Sequence, residues 1–140
     1  MAGGMNSIAE AVREYLAGAS WDLPLTVVRT HYPDLERRNL TAGATLAQVL
    51  ATGFTPTAGT RGAKTRSVPV QIGLRTRTEG EDNATIDPLA DLAEAISEAL
   101  FQLRLGEWVC MESEVVPDPA SQHEDRVYMA VVSTVWRKIA

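Results

Sequence analysis

Three side chains in this sequence could form a nucleophile and its base: Cys110, the single cysteine, and His31 and His123, the two histidines. A cysteine nucleophile reacts as its thiolate and needs a base or a positive neighbour to lower its pKa. Val109-Cys110-Met111 reads instead as the interior of a strand, where a lone cysteine packs as a small hydrophobe. The same three residues, far apart and without ligand spacing, do not outline a zinc site. Glu79-Gly80-Glu81-Asp82 and Glu112-Ser113-Glu114 could supply paired carboxylates, but neither has the regular oxygen spacing of a calcium loop. Acids clustered in turn-like sequence are most often solvated. Gly59-Thr60-Arg61-Gly62-Ala63-Lys64-Thr65 resembles a phosphate loop in composition only, since its spacing is wrong and it precedes a strand where a nucleotide site needs a helix. The expectation is a protein with no catalytic residue, no metal and no cofactor.

Charge carries more information, because it is segregated along the chain. Over residues 29–77 eight basic residues oppose two acids, a balance of +6. Over residues 79–125 thirteen acids oppose Arg104 alone, a balance of −12. The candidate contact residues are Arg61, Lys64, Arg66, Arg75 and Arg77 on a basic loop and strand face, and Asp91, Glu94 and Glu98 on an acidic helix face. Arginine outnumbers lysine four to one on the basic side, which favours bidentate contacts with carboxylates over point attraction. A body with two such faces meets copies of itself head to tail, and those contacts close into a ring when the rotation permits. The alternative is a solvated surface without a partner. A net charge of −5 argues against nonspecific DNA binding as the main activity.

The elements that must position these faces follow from periodicity. At 140 residues with 45% hydrophobic content, the chain suits one domain over residues 5–140. Residues 1–4 are set aside as an unfolded start or a remnant of cloning. A first helix is expected over 6–19, with Ser7 and Glu10 spaced as a capping box and Gly18 as its stop. Leu25 through Arg29 reads as a strand ended by Tyr32-Pro33-Asp34, and 46–54 as a strand by preference over a helix turn. Residues 55–65 cannot bury themselves and are a mobile loop or the tip of an extended hairpin. Residues 67–78 alternate cleanly, Val68, Val70, Ile72 and Leu74 against Pro69, Gln71, Gly73, Arg75 and Arg77. Pro69 places that part of the strand at an edge or bulge.

Asp87 as N-cap and Pro88 as first residue open a second helix, with Leu89, Leu92, Ala93, Ile96, Leu100 and Leu103 buried. Strands follow over 108–116 and 127–136, separated by a polar connection. Both faces of the last strand are apolar, so it is central in a covered sheet or has one face against another subunit. The sum is a small α+β domain, a mostly antiparallel sheet packed against two helices. A single cysteine rules out an internal disulfide and suits a reducing compartment. No apolar run spans a bilayer and no secretory block opens the chain, so it is expected to stay where it is made, without a membrane partner.

This order of parts resembles the tail terminator, or tail completion, proteins of long-tailed bacteriophages. The likeness rests on the short first helix, Leu25-Thr26-Val27-Val28-Arg29, the segment with Thr60-Arg61-Gly62, Ser67-Val68-Pro69-Val70-Gln71-Ile72-Gly73-Leu74, Ile86-Asp87-Pro88-Leu89-Ala90-Asp91-Leu92, and Val127 through Trp136. The resemblance implies a virion protein assembled in the host cytoplasm, a hexameric ring that caps the tail tube, ends its growth and offers a surface to the head-completion protein. DNA would pass through such a ring. The near alternative is a head-completion or connector ring at the portal, with the basic strip lining a DNA channel; a small ligand-binding or enzymatic α+β domain is the distant one.

Overall fold

Ile8, Val12 and Leu16 recur at helical spacing, and burying them against a sheet fixes helix α1 (Met5–Gly18). The structure is a computed structural model and describes residues 4–30, 45–58, 64–78, 83–117 and 127–139. Gly4 is the N-cap and makes no side-chain cap, so the expected Ser7–Glu10 box does not form. Glu10 is instead drawn sideways by two guanidinium groups, Arg13 at 2.6 Å and Arg29 at 3.2 Å. The helix ends at Gly18, the expected stop, and the N–H of its extended C-cap Ala19 donates to the Tyr15 carbonyl at 3.1 Å.

Among the described residues seven strands form one sheet: β1 (Leu25–Arg29), β2 (Thr45–Ala51), β3 (Thr55–Ala58), β4 (Lys64–Arg77), β5 (Arg104–Leu105), β6 (Trp108–Pro117) and β7 (Val127–Ile139). The order is β1-β2-β4-β7-β6-β5, with β3 paired to β4 beyond the end of β2. β1 and β2 are parallel and every other pair is antiparallel. Helix α2 (Asn83–Leu100) packs on β6 and β7 while α1 packs on β1 and β2, both on one face. The α+β class expected from the sequence is the one observed.

The core lies between that face and the helices. Val68, Val70, Ile72 and Leu74 of β4 meet Ala130, Val132 and Trp136 of β7, all at 1% exposure or less. The Trp136 indole N–H donates to Thr134 Oγ1 at 2.8 Å, and that hydroxyl donates to the Val70 carbonyl at 2.7 Å, so both buried polar groups are satisfied. β7 is central in the sheet, though the helices cover only one of its two faces, and it continues three residues past Trp136.

The reading of Pro69 holds locally: β4 as a whole is interior, but Pro69 sits at an irregularity where β2 has ended and β3 has not begun. Its carbonyl accepts from Thr52 N–H at 2.9 Å, so its missing amide faces that same interruption, where no strand partner is lost. Helix α2 begins at Asn83, leaving Pro88 inside it and Ala84 O without the usual amide; packing of Ile86 against the core offsets that loss. Leu103 packs against the core from beyond the helix end. In β6, Cys110 pairs with Trp136 but Glu112 already pairs with Val135, so Met111 is an extra residue in a β-bulge. The bulge turns Glu112, Glu114 and Val116 away from the helices and Ser113 and Val115 toward them, and Ser113 Oγ meets Ser97 Oγ of α2 at 2.6 Å.

The 55–65 segment is an extended hairpin at its described ends, where Thr55–Ala58 pairs with residues 64–67. The expected turn at Tyr32-Pro33-Asp34, the tip at 59–63 and the connection at 118–126 lie outside the described residues.

Candidate functional site

Among the described residues no element covers the sheet face away from the helices, here called the open face, and its cross-strand rows follow from the register. Leu46, Arg75 and Met129 form one row; Gln48, Gly73, Val131 and Val116 the next; Leu50, Gln71, Ser133 and Glu114 a third. Pro69, Val135 and Glu112 continue it. Arg75 belongs to this face yet is only 4% exposed, at the wall of a small cavity of about 90 Å³ shared with Gln48, Leu50 and Met129. Arg75 takes part in interactions within the subunit.

The basic residues singled out above are not one patch. Arg66 lies nine residues before Arg75 on β4, about 30 Å away at strand rise, and on the opposite face. It stands opposite Lys138, next to the exposed Arg137 opposite Ser67, so the positive end of the sheet is made by Arg66, Arg137 and Lys138. Like charges directly opposite repel. Here Lys138 Nζ is held by Glu107 at 3.3 Å and lies 5.8 Å from the Trp108 ring centre. Arg137 and Lys138 escaped sequence reasoning because it ended the last strand at Trp136, although Ile139 continues the pattern. Arg61, and the side chains of Lys64 and Arg77, lie outside the described residues.

The acidic side matches expectation more closely. Asp91, Glu94 and Glu98 are all exposed on one side of α2, facing away from the sheet. Burial pushes the Tyr128 hydroxyl up, and the Glu94 carboxylate adds to that shift. Glu112 and Glu114 are exposed on the open sheet face. At α1, the Arg13 hydrogen bond holds the Glu10 carboxyl below the usual carboxylate range, with smaller contributions from the charges of Arg13 and Arg29. This Arg13–Glu10–Arg29 link ties α1 to β1.

Cys110 is fully buried, its thiol donates to the Glu112 carbonyl at 3.3 Å, and burial pushes its pKa up, away from thiolate chemistry. His31, His123, the acids at 79–82 and the centre of the glycine-rich segment lie outside the described residues. Among the described residues no three His, Cys, Asp or Glu side chains gather as a metal site, and no helix is long and apolar enough to cross a membrane. An open groove of about 530 Å³ separates α1 from the β5–β6 turn, bordered by Glu14, Tyr15, Glu107, Trp108 and Lys138.

No protein-family model matches this sequence, and no curated protein matches it. Among solved structures, a chain from the virion of a native gene transfer agent (GTA) particle is similar, 14% identical, with a TM-score of 0.48, the match covering 94% of this chain and 92% of that one.

Proposed function

We propose that this protein is a structural component of a phage-type virion, forming a ring that caps the tail tube, ends its growth and presents the head-joining surface. The observation that carries the reading is the placement of opposite charges on separate surfaces of one two-layer body. Asp91, Glu94 and Glu98 project from the helix layer, whereas Arg66, Arg137 and Lys138 gather at the end of the long β4–β7 ladder. Such surfaces favour head-to-tail contact over a two-fold dimer. The order of elements, which resembles the tail terminator proteins, supplies the tail tube and the head-completion protein as partners. The role is structural rather than enzymatic, in keeping with a buried Cys110.

Light scattering after gel filtration, with negative-stain imaging alone and with tail-tube subunits, tests the reading. Closed rings that dock on tube ends are expected, with a salt-sensitive assembly equilibrium. A protein that binds portal or DNA and ignores tube would be a connector instead. Each exposed ion pair contributes only about 0–1 kcal/mol, so Glu94→Arg with Glu98→Arg should weaken assembly more than either alone.

A further inference from the structure

Both ends of the sheet present backbone that has no strand partner among the described residues, and the two are complementary. Thr52 N–H donates to Pro69 O, so the Pro69 backbone faces β2. Alternation along the ladder then turns Val135, its partner in β7, toward β6. Glu112, Glu114 and Val116 therefore bond to β7, and Ser113, Val115 and Pro117 point their backbone groups outward. Among the described residues, β5 and the turn before it cover β6 only as far as Cys110, through Gln102 and Leu103. At the other end, Thr30 N–H donates to Val49 O at 2.9 Å, so the backbone of Leu25, Val27 and Arg29 points outward from β1.

Direction and facing also agree. β1 runs parallel to β2, and the antiparallel steps through β4 and β7 leave β6 antiparallel to β1. A rotation about an axis along the strands thus brings β1 of the next copy beside β6 in antiparallel sense, with the helices on the same side. The outward-pointing residues of both edges turn their side chains to the helix layer, where Ser113 meets Ser97 and Arg29 meets Glu10. The bulge at Met111 and Pro117, which lacks an amide, bound the free segment to five residues, 113–117, the length of β1.

We propose that the free edge of β6 in one copy pairs with β1 in the next, antiparallel, with Val115 opposite Val27, so that the sheet runs continuously around the assembly. The partner is a second copy of this chain, and the inference rests on the ring reading above. In this register Leu25 meets Pro117 and Arg29 meets Ser113, giving about five backbone hydrogen bonds between copies. Val28 and Glu114 form a non-hydrogen-bonded pair on the open face, with Cα atoms about 4.5 Å apart, within disulfide reach.

The test is the full chain carrying Val28→Cys and Glu114→Cys under mild oxidation, beside each single variant and the out-of-register pair Thr26→Cys with Glu112→Cys. A ladder of covalent oligomers ending at the ring size is expected from the matched pair alone. Val27→Pro, whose lost amide points out of the sheet, should leave a folded monomer. Rings by light scattering with no ladder from the matched pair would overturn the edge joint and leave the ring standing. A wild-type chain that stays monomeric even with tail-tube protein would overturn the ring reading itself, and the joint with it.

Discussion

On the helix-covered face Val68, Val70, Ile72, Val132 and Trp136 lose all contact with water, whereas the same two strands carry Gln71, Ser133, Val135 and Arg137 on the open face, none of them fully buried. The covered face has one admissible chemistry, because a polar group there must find a partner, as Thr134 does for Trp136. Among the described residues no helix or strand packs over the open face, and it mixes apolar, acidic and basic side chains. Its composition answers to neighbours and solvent rather than to the core, which makes it and the strand edges the places to look for assembly.

The contrast is sharpest at consecutive residues of one strand. Trp136→Ala opens a cavity and leaves the Thr134 hydroxyl without the indole donor, and should lower stability by about 3–5 kcal/mol in chemical denaturation. Val135→Ala, half-buried on the open side, should lower it by about 1 kcal/mol or less. Comparable losses would mean that the open face is as closed as the covered one.

Arg75 is the residue that blurs the comparison, being buried on the open face. Arg75→Glu should therefore destabilise the isolated subunit by about 3 kcal/mol, through an unpaired buried charge, before any effect on assembly is read. Near-wild-type denaturation of Arg75→Glu at a concentration where the chain is monomeric would place Arg75 among freely exposed residues.

Cys110 tests the covered face by titration. Burial raises the thiol above its ordinary value, 9.0, and the Tyr128 hydroxyl above 10.0. Because the raised pKa belongs to the folded state, the stabilisation is complete below the ordinary values and is lost as pH climbs through the folded ones. Unfolding free energy should fall steeply above about pH 9, and less steeply in Cys110→Ala. Cys110→Ser should be about 1 kcal/mol less stable at neutral pH. Rapid alkylation of the native thiol would contradict the burial.

What was legible in the sequence was whatever a single period controls. Val68 through Leu74 announced the covered face of β4, and Leu89, Leu92, Ala93 and Ile96 announced the stripe of α2, because each pattern is local and apolar. The parallel pairing of β1 with β2 was not legible, since strand partners far apart in sequence leave no local mark. Pro88 followed the usual helix-start rule and misled, because the helix starts five residues earlier at Asn83 and Ile86 already packs on the core. Of the candidate contact residues, the acids of α2 could be placed by helical spacing. The basic set could not, because Arg66 and Arg75 differ in both face and height along one strand, and alternation shows the face of Arg75 but not its burial.

The bulge in β6 gives the finest test. Read by simple alternation, Trp108 and Cys110 would carry Glu112 and Glu114 inward with them, under α2. The extra residue reverses the phase, so both glutamates leave the helix-covered side and Ser113 takes its place against Ser97. Deleting Met111, whose side chain is 44% exposed, removes the extra residue without changing which face any later residue takes. Loss of a residue from a strand interior is ordinarily disruptive, yet this deletion should change stability by about 1 kcal/mol or less, since it straightens the ladder and leaves the core side chains in place. A deletion as damaging as Trp136→Ala in the same denaturation assay would show that the bulge is held by more than the phase of the strand.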